Sequence, residues 1–123
     1  MDMTLLVIVG RILIGGAFIF SGVRMFMNLD LITGVLREKR IPQPAFMVAA
    51  GATFEILFGG LAIAGIWLQA VALLLAAFIV GATVMAHDAW NMPPGPDRFL
   101  QVNAVISNVI IVGALIAIAG LAS

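Results

Sequence analysis

The sequence predicts an all-α fold, an antiparallel bundle of four transmembrane helices. Hydrophobic residues make up 63% of the 123 positions and charged residues 10%, whereas soluble domains are roughly 45–50% apolar and about 25% charged. Four stretches reach the roughly 20 apolar residues that cross a bilayer, at about residues 4–27, 46–67, 68–86 and 99–121. Because these helices account for most of the chain, we predict one integral membrane domain over residues 1–123.

The three connections between the predicted helices differ in length and chemistry. The first, residues 28–45, has apolar residues at helical spacing beside a basic cluster. This pattern favours either a short amphipathic helix at the membrane surface, ended by Ile41–Pro42, or an ordered polar loop. The second connection is a tight uncharged turn around Gly65. The third is rich in proline, and Pro96 stands where a first-turn proline would begin the next helix.

Lysines and arginines outside the helices predict the orientation in the membrane. They are Arg37, Lys39, Arg40 and Arg98, and all of them lie in the first and third connections. Loops enriched in these residues stay on the cytoplasmic side. We therefore expect both long loops in the cytoplasm and both termini outside.

Composition also limits the chemistry that the chain can carry. The absence of cysteine excludes thiolate metal sites, iron–sulfur clusters and covalently attached haem, and a single histidine cannot supply both ligands of a bis-histidine haem. We predict no metal site and no covalently bound cofactor. The formal net charge of zero predicts no general surface for nucleic acid.

Glu55, near the middle of the second predicted helix, is the main candidate functional residue. A charge at the bilayer centre costs about 2.5–3.5 kcal/mol on insertion scales, so we expect this carboxyl to face the bundle interior with a polar partner on another helix. Arg11 of the first helix is expected to face the interior too, and either pairs with Glu55 or extends to the membrane surface. Both are candidate catalytic residues. A structural reading, in which Glu55 fixes helix packing through hydrogen bonds, stays open.

The helical rise predicts which other polar side chains lie near Glu55. Counted from the cytoplasmic ends, Glu55 lies ~14 Å deep and Asn108 ~13 Å deep, whereas Arg11 lies ~24 Å deep. We predict a polar pocket with Glu55 at its floor and hydrogen-bonded to Asn108. Asn103 and Asn108 also have a plain reading as contacts between helices, and His87 has one as a histidine at the membrane surface with its hydrogen bonds satisfied. The candidate ligand-binding residues are Asn108, Asn103, Ser21 and His87.

Several motifs along the chain resemble those of the DoxX family of small four-helix membrane proteins. The strongest is Phe54–Leu61, which is similar to a family signature of a glutamate followed by two glycines and a leucine. Val102 departs from the pattern, because many relatives have lysine there. The other matching stretches, in the family's order, are Gly10–Gly15, Phe20–Gly22, Ile41–Pro44, His87–Trp90 and Phe99–Asn103.

The resemblance implies a function in membrane redox chemistry. The family is named for a subunit of a terminal quinol oxidase complex with thiosulfate:quinone oxidoreductase activity. We therefore expect an accessory subunit of an oxidoreductase assembly in a prokaryotic inner membrane, with a quinone- or proton-handling pocket around Glu55. The chain is not expected to be an enzyme alone, and a quinone is the one cofactor candidate. Two alternatives stay open: a carrier or channel-like protein for a small solute or proton, and a purely structural subunit.

The expected partners are the lipid bilayer and other membrane helices, either a second copy of the chain or other subunits. The third predicted helix is the expected contact, because Ala77 and Gly81 form a small-xxx-small pattern that lets helices approach closely. The basic cluster of the first connection offers a second contact, to anionic lipid or to a soluble partner.

Overall fold

The computed structural model describes residues 3–122, which are 87% helical and contain no strand. The long helices α1, α3, α4 and α5 are each apolar enough to cross a membrane, with mean hydropathies of 1.8 to 2.5. The predicted all-α fold with four membrane-spanning helices is confirmed. The elements are α1 (Met3–Met27), α2 (Leu29–Glu38), α3 (Pro44–Ala64), α4 (Leu68–Ala86), a short 3-10 helix (Ala89–Asn91) and α5 (Pro96–Leu121).

The C-terminal end of α3 lies three residues earlier than the sequence predicted, at Ala64 and not at residue 67. Gly65 adopts a left-handed conformation, with φ of 75°. Its N–H donates to the Ala62 carbonyl, and the Ile66 N–H donates to the Leu61 carbonyl. This pair of bonds is the Schellman motif, which ends helices most readily at glycine.

Proline begins two of the long helices. Pro44 lies in the first turn of α3 and Pro96 in the first turn of α5, which therefore start two and three residues before the apolar stretches. The missing N–H of proline costs nothing there, because first-turn N–H groups have no partner within the helix. The predicted role of Pro96 is confirmed.

The first connection folds as a helix, α2, and not as a loop. Thr33 and Leu36 are buried, and α2 packs on α3, whereas Leu31 is exposed. The helix ends at Glu38, before the predicted Ile41–Pro42 stop. Arg40 takes the left-handed conformation that completes a second Schellman motif, with φ of 59°.

The chain forms two compact units, Met1–Trp67 and Leu68–Ser123. In the first, α1 and α3 run antiparallel, because Arg11 bonds Ile63 while the later Ser21 bonds the earlier Glu55. In the second, α4 and α5 run antiparallel. The hydrogen bonds that show this direction join Gln69 to Ala119 and Thr83 to Asn108, and His87, the residue after α4, bonds Gln101. The single domain expected from the sequence stays a prediction.

Glycines bring the backbones of α1 and α3 into direct contact. A Cβ atom at Gly22 would lie 2.6 Å from the Ala52 carbonyl oxygen, and one at Gly59 would lie 2.7 Å from the Gly15 carbonyl oxygen. Both distances are shorter than any real Cβ contact. The two helices can therefore approach this closely only where these side chains are absent.

We expect Gly22→Ala to destabilise the first unit by about 1–3 kcal/mol, the usual cost of overpacking. The measurement is unfolding in mixed micelles with a rising fraction of sodium dodecyl sulfate. Gly16→Ala on the same helix is the control, because a Cβ there meets nothing within 4 Å. It should be neutral or stabilising by up to about 1 kcal/mol, through helix propensity. Equal loss in both variants would contradict the close contact.

Candidate functional site

Glu55 lies buried on α3, against α1, with only 5% of its surface exposed. It is three residues after Ala52 and four before Gly59, so it shares the helix face that contacts α1. The Ser21 hydroxyl of α1 donates a hydrogen bond to Glu55 Oε2 at 3.0 Å. The prediction that Glu55 faces inward with a polar partner on another helix is confirmed.

Ser21 reaches Glu55 because it lies beside the closest approach of the two helices. Its neighbour Gly22 packs directly on the α3 backbone, so a side chain as short as serine can span the gap. Among residues 3–67 of the first unit, Ser21 is the one hydrogen-bond donor to the Glu55 carboxyl. The sequence named both residues, and the structure brings them together.

Arg11 does not form an ion pair with Glu55, which is one of the two arrangements that the sequence leaves open for it. Its Nη2 donates to the Ile63 carbonyl at 2.9 Å. Ile63 lies eight residues beyond Glu55 on α3, about 12 Å along the helix axis. The reason is local: the Schellman motif leaves the Ile63 carbonyl without a backbone partner, and a cation at a helix C-terminus is favourable.

Gly65 completes this arrangement around Arg11. A Cβ atom at Gly65 would lie 3.0 Å from Arg11 Cζ, so glycine provides both the left-handed conformation and room for the guanidinium. Arg11 Nε is buried and has no acceptor within the described part of the chain, residues 3–122. Sequence reasoning missed Ile63 and Gly65 as neighbours of Arg11. The available signal was the glycine at the predicted end of α3, at the depth of an arginine on α1.

Two candidates from the second unit contact side chains of that unit. The Asn108 amide donates to Thr83 Oγ1 at 2.9 Å, and His87 Nδ1 lies 2.9 Å from Gln101 Oε1. The first pair links α4 to α5, and the second links α5 to the residue that follows α4. Gln101 was not among the sequence candidates. The predicted bond from Asn108 to Glu55 joins the two units and stays a prediction.

Asn103 has a different environment from the other candidates. It is exposed on α5 and makes no side-chain hydrogen bond among residues 3–122. A shallow apolar hollow of about 250 Å³ lies nearby at the start of α5, and it is lined by Pro94, Gly95, Arg98, Phe99 and Val102. The hollow contains none of the candidate residues. The single polar pocket shared by all four membrane helices stays a prediction.

The chemistry that Glu55 can perform follows from what surrounds it. Ser21 offers one neutral hydroxyl, and no lysine or arginine among residues 3–67 bonds the carboxyl. A carboxyl held in a salt bridge is fixed in its charged form, whereas one held by a hydroxyl can take up and release a proton. No three His, Cys, Asp or Glu side chains lie together as a metal site within residues 3–122.

Comparison with known proteins assigns the chain to a family. The model of the DoxX family matches residues 6–88, which include α1 from Leu6 onward, all of α2, α3 and α4, and both Ser21 and Glu55. The Phe99–Asn103 stretch lies beyond the match. Searches of curated proteins and of solved structures returned no match. The family match covers about two thirds of the sequence, and this integral membrane protein therefore belongs to the DoxX family.

Proposed function

We propose that this protein is an accessory membrane subunit of an oxidoreductase assembly, in which Glu55 relays a proton. The observation that carries the proposal is a buried carboxyl, inside a membrane-spanning helix pair, whose one donor among residues 3–67 is the Ser21 hydroxyl. Quinone chemistry in membranes consumes and releases protons, so such an assembly needs groups of this kind within the bilayer. Membership of the DoxX family supports the redox setting.

The energetic cost of Glu55 favours a functional reason for its presence. Placing a carboxylate at membrane depth costs about 2.5–3.5 kcal/mol, whereas hydrogen bonds between membrane helices return only ~0.6 kcal/mol on average. One bond to Ser21 therefore does not offset the cost of the charged form. The glycines already bring the backbones of α1 and α3 into direct contact without using the carboxyl. A proton relay would explain why a carboxyl that is costly to bury lies between α1 and α3, where the glycines already allow the helices to pack.

A quinone ring does not fit between α1 and α3. The backbones there are so close that even one added carbon at Gly22 would overlap Ala52. Glu55 itself is almost fully buried. We therefore place the quinone of the assembly outside this helix pair and assign only proton transfer to the Ser21–Glu55 pair.

The composition of the chain supports an accessory role. Without cysteine and with one histidine, the chain lacks the ligands that usually hold redox centres in proteins. Electrons would therefore pass through other subunits. The assembly should be isolated by purifying the tagged chain from its native membranes and identifying the proteins that copurify.

We expect Glu55→Gln to lower the quinone-dependent activity of the purified assembly at least tenfold while the same subunits copurify. The amide keeps the shape and the hydrogen bond to Ser21 but cannot transfer a proton, and positioned proton transfer commonly contributes 10²–10⁴-fold. Glu55→Asp should retain more activity than Glu55→Gln. The control is Glu38→Gln on exposed α2, which should leave the activity unchanged.

Two results would contradict this role for Glu55. Full activity of Glu55→Gln with normal copurification would favour a structural carboxyl. Loss of the partner subunits in Glu55→Gln would mean that the side chain holds the assembly together. A proton leak through vesicles of the purified chain alone, absent in Glu55→Gln, would instead favour the carrier or channel-like alternative.

Arg11 is expected to act on stability and not on proton transfer. Arg11→Leu removes the bond to the Ile63 carbonyl and the favourable charge at the end of α3, which should cost about 1–3 kcal/mol. Unfolding in mixed micelles measures this loss, with Arg24→Leu on the exposed end of α1 as the control. If Arg11→Leu lowered the activity of the folded assembly without lowering its stability, Arg11 would belong to the relay.

A further inference from the structure

We infer that Arg11 binds a phosphate group beside the Gly65 turn, at the end of the α1–α3 pair. This inference does not depend on the proposed proton relay. It starts from the Arg11 guanidinium, which has five N–H groups and uses one of them, on Nη2, to bond the Ile63 carbonyl. Nη1 makes no hydrogen bond among residues 3–67. The side chain is half-buried, and Nε is its one fully covered nitrogen without a partner, so Nη1 stays within reach of a ligand.

The turn at Gly65 holds the guanidinium in place. A Cβ atom at Gly65 would lie 3.0–3.1 Å from three guanidinium atoms of Arg11, so the planar group lies against the turn backbone. The bond to the Ile63 carbonyl fixes it at a second point. An arginine that is fixed in this way loses less conformational freedom for each further hydrogen bond that it forms. The guanidinium is therefore pre-organised for a ligand.

The charge of Arg11 is not balanced within the first unit. Arg11 makes no ion pair among residues 3–67. The C-terminal end of α3 carries roughly half of a negative elementary charge, so it offsets only part of the positive charge. A guanidinium stays protonated in proteins and therefore does not escape this cost by losing a proton. The remaining charge favours an anion from outside the first unit.

The carboxylates of residues 68–122 do not supply that anion, whichever way the second unit is turned. They are Asp88 and Asp97. Helix α4 starts three residues after Gly65, at most about 11 Å away, and Asp88 follows its other end, about 27 Å further along. Asp97 lies about 33 Å along α5 from Ala119, whose carbonyl bonds Gln69 in the first turn of α4. Neither carboxylate can therefore reach the guanidinium.

The depth of the guanidinium matches that of lipid phosphates. Ile63 is the last residue but one of α3, so Arg11 lies at the end of a helix that is long enough to cross the bilayer. Trp67 in the turn that follows is 78% exposed, and tryptophan is enriched at the boundary between hydrocarbon and headgroups. Phosphate is the common anion of that boundary, and arginine binds it with short, charge-assisted hydrogen bonds.

Tryptophan fluorescence tests the inference beside the site. The chain has two tryptophans, so Trp90→Phe leaves Trp67, two residues after Gly65, as the reporter. This protein, in micelles of the phosphate-free detergent dodecyl maltoside, is titrated with phosphatidylglycerol or with diacylglycerol that carries the same brominated chains. We expect phosphatidylglycerol to quench Trp67 at a concentration about tenfold or more lower than diacylglycerol, the effect of one charge-assisted hydrogen bond.

Replacing the arginine tests its own contribution. Arg11→Leu should abolish the preference for phosphatidylglycerol. Arg11→Gln, which keeps an amide donor but no charge, should do the same and serves if Arg11→Leu does not fold. Arg24→Leu at the other end of α1 is the matched control and should keep the preference.

Inorganic phosphate separates the two sources of the ligand. If millimolar inorganic phosphate removes the preference for phosphatidylglycerol in the protein with Arg11, the site takes the free ion. If the preference persists, the site takes the phosphate of a lipid headgroup. Either result supports a phosphate site at Arg11.

Three results would overturn the inference. The first is equal quenching by the two lipids in the protein with Arg11, and the second is a preference that survives both Arg11 variants. The third is a preference that appears only in Asp2→Asn. Asp2 lies outside the described residues, and this result would make its carboxylate the partner of Arg11.

Discussion

The contact between the α1 and α3 backbones is the constraint on which the candidate site depends. Gly15, Gly22 and Gly59 remove the side chains that would separate the helices. This approach lets the short Ser21 side chain reach Glu55 and covers the carboxyl almost completely. Wider helix spacing would leave Glu55 facing lipid without its donor, at a cost that membrane helices rarely bear.

The two charged groups of the α1–α3 pair have separate partners. Glu55 is held by a hydroxyl near the middle of α3, while Arg11 bonds a free carbonyl at the C-terminal end of the same helix. Each hydrogen bond lowers the free-energy cost of burying one charged side chain, and neither requires Glu55 and Arg11 to pair with each other. The arrangement leaves the carboxyl free of a cation, and this is why the proposed role for Glu55 is proton transfer.

The polar residues of α5 also divide by the side of the helix on which they lie. Asn108 bonds Thr83 of α4, and Gln101 bonds His87, the residue after α4. Asn103 and Ser107 make no such side-chain bond within residues 68–122. The inner polar residues of α5 therefore help to hold α5 on α4.

The sequence by itself determined the fold class, the four spans and the buried position of Glu55, because the bilayer selects long apolar stretches and penalises an isolated charge, and both are local properties of the sequence. It did not determine the hydrogen-bond partners of Glu55 and Arg11. Depth along a helix predicted Arg11 or Asn108 beside Glu55, whereas the first-unit contacts give Ser21. The hydrogen-bond partner of Glu55 depends on which helix faces meet and on how closely they approach. The glycines of α1 and α3 decide both. The bond of Arg11 to Ile63 likewise required the carbonyl that the turn at Gly65 leaves free.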